Sequence, residues 1–341
     1  MDPLTQAALG AAAGAALARP GSVRLALLVG ASAGAAPDID VLIRSEADPL
    51  LGLEYHRHFT HALAVAPLIG LLVAGLFRLV LWRRGPGCGE LAAYGIAGAL
   101  THGFLDACTS YGTLLYWPFS RHRESWELIS IIDPLFTLPL LMLLGLALAR
   151  RRPVFARVAL VVCLAYLGLG LVQRERAERF AGELAEARSH AATELTARPS
   201  LGNLLLWRLV YRDGERYYVD AVWLGPFGGS RLYPGDSVAA FTREAAVAVS
   251  GGAPVQLRDI ERFRFFSQGY LYRHPSEPRV IGDLRYAIFP DSVIPLWGIR
   301  HREPGRDGHV GLEYFRTVER GAFARLFSMI LGKEAAPLQK R

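Results

Sequence analysis

The chain has 341 residues, 52% of them hydrophobic, and a mean hydropathy of +0.23, which is high for a soluble enzyme. The apolar residues bunch in the N-terminal half, and the length leaves room for two or three domains. A net charge of +7 admits nucleic acid or an anionic membrane as partner, but no like-charge block or basic–aromatic stripe is present, so nucleic acid is set aside.

In chain order, residues 4–18 are Ala/Gly-rich and apolar until Arg19-Pro20-Gly21 breaks them. A cleaved signal peptide would need its positive residues before the apolar part, not after it. A second small-residue run, 22–36, ends at Pro37. Both runs fall short of the roughly 20 residues of a full span. Gly10/Gly14 and Gly30/Gly34 have the spacing that lets helix backbones approach closely in lipid. Two short, tightly packed helices that do not cross completely are expected.

Residues 62–82 form the clearest span, closed by Trp82-Arg83-Arg84. After a Gly/Pro turn at 85–89, residues 90–106 make a helix ending in His102 and Asp106. Residues 107–130 read as a polar, aromatic loop. Residues 131–149 are a Leu-rich span closed by Arg150-Arg151-Arg152-Pro153, and 154–172 the last span. The charged stretch 173–199 reads as an exposed helix or linker. From about residue 200 short aromatic and β-branched runs appear, at Arg216–Trp223, Val255–Tyr272, Val280–Phe289 and Val310–Val318, separated by Gly, Pro and Asp as strands are. The expected architecture is an α-helical multi-pass membrane domain over 1–172, then a small β-rich (α+β) soluble domain over 200–330 and a tail over 331–341. Cys88, Cys108 and Cys163 share no metal-like spacing and read as buried thiols.

Polar islands interrupt the apolar half: Pro37-Asp38-Ile39-Asp40, His56-Arg57-His58-Phe59-Thr60-His61, Thr101-His102-Gly103-Phe104-Leu105-Asp106, and Ile132-Asp133-Pro134. If the arginines that close the helices mark one membrane face, alternation puts all four islands and Gln6 at the other. His102 and Asp106 are four apart on a helix and point the same way. A mixed imidazole and carboxylate set suits zinc, manganese or iron rather than calcium or magnesium. Asp38, His56, His58, His61, His102 and Asp106 are the candidate ligands, with Asp40 as a ligand or general base and Arg57 as a receiver of phosphate or carboxylate. Asp133 before Pro134 reads equally well as a helix cap.

The series Met1-Asp2-Pro3-Leu4-Thr5-Gln6, Pro37-Asp38-Ile39-Asp40, His56-Arg57-x-x-Thr60-His61, His102-x-x-Leu105-Asp106 and Tyr111-Gly112 resembles the YdjM-like, LexA-binding, inner-membrane-associated family of metal-dependent hydrolases. The resemblance covers roughly 1–172, and Asn203–Arg208 with Phe265–Gly269 look like its long form. It implies an inner-membrane multi-pass protein, metal-dependent hydrolysis, and a regulatory protein partner. Asp38, Asp40, His56, His61, His102 and Asp106 match its polar positions. Gln6 stands where many members carry a histidine, and His58 where a small residue is common.

The leading expectation is a membrane hydrolase holding one or two divalent ions, zinc or manganese, and acting on a lipid-like ester or phosphoester in the bilayer. The alternative is a non-catalytic anchor or regulator that binds a partner through its C-terminal domain. A metal-free lipid phosphatase also needs a Pro-Ser-Gly-His motif, which this sequence lacks. The positive-inside rule puts the Arg83/Arg84 and Arg150–Arg152 loops in the cytoplasm and the polar islands outside.

Overall fold

A computed structural model describes residues 1–81, 86–317 and 321–335. The expected cation pair Arg83–Arg84, Val318 and residues 336–341 of the tail lie outside the described residues. The chain divides into two compact units, Met1–Ile43 with Tyr55–Gly170, and Arg44–Glu54 with Leu171–Arg341.

In the first unit, α1 (Pro3–Ala16) starts where the Asp2 carboxylate accepts from Thr5 N, filling one of the amide groups a helix start leaves free. It packs on α2 (Val23–Ala35) through glycine. A Cβ at Gly10 would overlap the Gly30 carbonyl, and one at Gly34 would meet the Gln6 carbonyl at 2.7 Å. The close approach expected from the glycine spacing is therefore present. The second run is longer than expected. Pro37 enters the first turn of a 3-10 helix (Ala36–Leu42), where its missing N–H breaks no bond. Pro20–Leu42 thereby becomes a 23-residue element long and apolar enough to cross a membrane.

The clearest predicted span starts later than expected, as α4 (Ala66–Leu81). Leu51–His61 precedes it at an 80° bend, because the chain is extended at Ala62 and the N–H of Leu63 bonds Leu115 O. His61 sits at that break. Helix α5 (Cys88–Ala107) carries His102 and Asp106. Helix α6 (Pro134–Arg150) is capped by Asp133, which accepts from the backbone N–H of Leu135 and Phe136. Helix α7 (Val154–Ala187) is one 34-residue rod, so much of the charged stretch after 172 is its continuation. Among the described residues, two helices are long and apolar enough to span, or three if the bent pair counts as one. Leu9, Val29, Leu105, Phe136 and Leu140 belong to the buried core.

The second unit holds two antiparallel four-stranded sheets, each in sequential order. The first runs β1 (Glu194–Pro199), β2 (Leu206–Asp213), β3 (Arg216–Leu224) and β4 (Ser230–Ala239). The second runs β5 (Leu271–Arg273), β6 (Val280–Asp283), β7 (Trp297–Arg300) and β8 (Gly311–Tyr314). Helices α8 (Arg243–Ser250), α9 (Pro254–Phe266) and α10 (Ala322–Ile330) complete it. The run expected as strand from Val255 is corrected to helix α9. Its buried residues Gln256, Asp259, Ile260, Phe263 and Phe266 recur with helical period rather than alternating. Of the three thiols expected to be buried, Cys88 is exposed. It lies at the first residue of α5, outside the packed stretch.

Candidate metal centre

Four pieces of backbone deliver the polar islands to one place in the first unit. Asp38 and Asp40 ride on the 3-10 helix. His56 and Arg57 follow α3 (Leu51–Tyr55), Arg57 in the left-handed region at φ 61°. Thr60 and His61 lie on a short 3-10 turn (Phe59–His61). His102 and Asp106 stand one turn apart on α5. Gly103 between them lets α5 lie directly on the backbone of His61, since a Cβ there would overlap the His61 carbonyl.

The ring centroids of His61 and His102 are 4.5 Å apart, and their Nε2 atoms 2.9 Å apart. Asp38 Oδ1 lies 3.5 Å from the first Nε2 and 3.4 Å from the second. Asp106 Oδ2 lies 3.2 and 3.7 Å from the same two atoms. Metal–ligand bonds of 2.0–2.1 Å in a tetrahedron put neighbouring ligand atoms about 3.3–3.4 Å apart. The separations here, 2.9 to 3.7 Å, bracket that spacing, and Asp38, His61 and His102 could hold an ion.

The outer nitrogens support the same reading. His102 Nδ1 is 2.6 Å from Gly34 O; a carbonyl only accepts, so this nitrogen carries a proton, and in the neutral ring Nε2 is then the lone pair. His61 Nδ1 lies 3.2 Å from Asp40 Oδ2 and 3.0 Å from Thr60 Oγ1. That contact favours the same tautomer, and such outer partners are what fix metal-binding histidines. Two bare lone pairs facing each other repel unless a cation or proton lies between them.

A second group of donors comprises Asp38, Asp40 and His56, with His56 Nδ1 3.0 Å from Asp40 Oδ1. Asp38 is common to both groups. Its side chain is 23% exposed and that of His56 27%, whereas His61, His102 and Asp106 are buried. The mouth of the site is therefore at Asp38 and His56.

Asp40 is buried and accepts from Arg57 N and Thr60 Oγ1, both at 3.0 Å, besides facing His56 and His61. The Arg57 guanidinium is buried too. Its Nε is 3.1 Å from Asp106 Oδ2, its Nη1 donates to Thr109 Oγ1 at 2.8 Å, and it lies over the Tyr111 ring. The amino group of Met1 also pairs with Asp106. Arg123 donates to Gly112 O, in the loop.

Gln6 joins the site. Its Nε2 donates to Asp106 Oδ1 at 2.8 Å, and its Oε1 is buried with no hydrogen-bond partner among the described residues. His58 is elsewhere, its Nδ1 accepting from Phe59 N and its ring against Trp117. Asp133 serves as a cap and accepts from Tyr166 at 2.9 Å. The sequence reading missed the Gly34 carbonyl, which as backbone leaves no residue-type signal. It also missed Thr60 as the partner of Asp40, although Thr60 stands inside the His-Arg-x-x-Thr-His string.

The model of a family described as YdjM inner membrane protein matches residues 1–177, more than half the chain. The chain belongs to that family. No curated protein and no solved structure matches it. The family match spans every donor named above and ends within α7, so it takes in the helical half and none of the sheets.

Proposed function

We propose that the chain is a multi-pass inner-membrane hydrolase that uses one or two divalent ions, zinc or manganese, to cleave an ester or phosphoester of a lipid-like substrate. The observation that carries this reading is the pair of inward Nε2 donors on His61 and His102, with Nδ1 anchored at Asp40 and Gly34, and Asp38 closing the triangle. A divalent ion supplies Lewis-acid polarisation of a carbonyl or phosphoryl oxygen and makes water a better nucleophile near neutral pH.

Asp38, His61 and His102 would hold the first ion, and Asp38, Asp40 and His56 would offer donors for a second, with Asp38 common to both groups. Asp106 flanks the first position and is itself held by Arg57 and Gln6. Arg57 thus acts on Asp106 as a positioning residue, and with a single ion Asp40 does the same for the two histidines it faces. Where a single ion is bound, the half-exposed His56 on the Asp40 carboxylate is the imidazole able to exchange a proton at the mouth. With the Arg150–Arg152 loop in the cytoplasm, the mouth opens on the extracytoplasmic side.

The test is metal analysis of the full-length protein purified in mild detergent and replenished with zinc or manganese. One or two equivalents are expected in the wild type, with loss on His102→Ala and retention on His58→Ala. Wild type that holds no ion after repletion overturns the reading.

A further inference from the structure

Helix α7 changes character within one turn. Leu171 and Val172, 44% and 53% exposed, end its apolar run, and Gln173-Arg174-Glu175-Arg176 follow. In a membrane protein that change marks the boundary between hydrocarbon and headgroups. The first sheet is bonded to α7 at this level. Gln173 Nε2 donates to Leu204 O at 3.0 Å and Leu224 O at 3.3 Å, and Arg176 Nη1 donates to Gly225 O at 2.9 Å. The turns beside Leu204 and Gly225 are thereby fixed at the end of the apolar run.

Those turns carry apolar side chains with nothing of the second unit over them. Leu201 is 49% exposed and Phe227, at the tip of the β3–β4 turn, is 102% exposed. Helix α10 adds a stripe. Phe323, Phe327 and Leu331 recur every four residues and are 69%, 62% and 47% exposed, while Ala322, Leu326 and Met329 face inward. One ring joins the two features. The Trp223 indole donates to Ile330 O at 3.0 Å, and a Cβ at either Gly225 or Gly332 would touch it. The Phe227 turn and the end of α10 therefore flank the same side chain.

We propose that Leu201, Phe227, Phe323, Phe327 and Leu331 form a membrane-docking surface, through which the sheet-bearing unit sits in the interface of the leaflet where α7 emerges. The occupant is the bilayer because the patch is tied at the boundary of an apolar span. Arg174, Arg176 and Arg179 follow within two turns of that boundary, Arg174 paired with Glu178, at the depth where anionic headgroups attract cations. Aromatic side chains on a short amphipathic helix are suited to that depth, with the apolar face about 5–10 Å into the headgroup region. The inference rests on α7 as a span and not on the hydrolase reading.

The experiment uses the full chain, with Cys88→Ser to remove the exposed thiol, in bilayers of phosphatidylethanolamine and phosphatidylglycerol. Phe227→Cys, Phe327→Cys and, as control, Val247→Cys on α8 (52% exposed) each carry an environment-sensitive fluorophore. Expected is blue-shifted emission at 227 and 327, quenched by lipids spin-labelled near the headgroup and several-fold less by aqueous iodide than at 247. Iodide quenching at 227 and 327 equal to that at 247 overturns the proposal. Protection from iodide without lipid quenching also overturns it, in favour of a second copy or another protein on this face. Unchanged metal content in the same variants separates this outcome from any failure of the catalytic reading.

Discussion

Among the described residues, two places bring two carboxylate or imidazole partners to a histidine at ligand distance, and they differ in what balances the charge. In the first unit Asp38, His61 and His102 meet with both Nε2 atoms turned inward. In the second, Asp48, Asp259 and His309 are as close together, but Arg262 lies among them. Its Nη1 is 3.0 Å from Asp48 Oδ1 and from Asp259 Oδ1, and its Nη2 2.7 Å from Glu54 Oε2. His309 Nδ1 and Val310 N take the remaining Asp259 oxygen at 2.9 and 3.2 Å. A guanidinium already supplies the cation there. Proximity of donors does not by itself make an ion site; what decides is whether a protein cation already stands at their centre. At the first site the nearby guanidinium, Arg57, is turned onto Asp106 and leaves Asp38 to the imidazoles.

The comparison breaks if the wrong histidine matters. His61→Ala is expected to abolish bound metal and His309→Ala to leave it unchanged, both read by metal analysis of the full-length protein. Loss of metal in His309→Ala alone would reverse the assignment of the two clusters.

Arg262→Ala sharpens the other half. It leaves Asp259 Oδ1 without its guanidinium and is expected to cost the second unit about 3 kcal/mol, the scale for removing one partner of a buried pair, with metal content intact. The cluster also has a pH signature. Burial works to raise the Asp48 pKa, but hydrogen bonds from Arg262 and Leu50 and the Arg262 charge outweigh it and hold the value below 3.8. A folded-state value below the unfolded one adds stability at pH above the unfolded pKa, and that stability is lost as pH falls through the folded value. Asp48→Asn is therefore expected to lower the thermal midpoint at pH 7, with the gap to wild type closing as the pH drops below about 4.

Much of this was legible in residue types and spacing. The arginines that end helices alternate with polar islands, and that pattern alone placed His61 and His102 at one level. Arg19 pairing with Glu90 at 3.4 Å and Arg157 donating to Ala16 O at 2.9 Å show the opposite end of the bundle gathering its own charges. Three things escaped. The roles of Asp38 and Asp40 differ only through the 3-10 turn, which buries one and leaves the other at the mouth. Arg57 looked like a substrate-binding cation because no sequence pattern reveals that its left-handed backbone turns the side chain onto Asp106. Helix α9 was mistaken for strand because Arg262–Phe266 is aromatic and charged, whereas the buried residues that define its period include Gln256 and Asp259, polar residues that pair inside the second unit.

Gly103→Ala tests the backbone side of the first cluster without touching a donor. The added methyl meets the His61 carbonyl, so α5 and the His61 turn must part. Because the two rings are held from those backbones, metal affinity is expected to fall about 10–100-fold, the range seen when outer-shell support is lost. Affinity unchanged, measured by competition with a chelator, would mean that the ring spacing is set elsewhere.

The smallest effect separates a cap from a ligand. Asp133 shares the residue type of Asp38 and its expected level, yet it accepts from two amides at the start of α6 and from Tyr166. Asp133→Ala removes those bonds and no candidate donor. It is expected to cost about 1 kcal/mol of stability, the usual worth of a helix cap, with bound metal at the wild-type level. Metal lost with stability kept would instead make Asp133 part of the centre, and would show that the carboxylates at this end of the bundle act as one set.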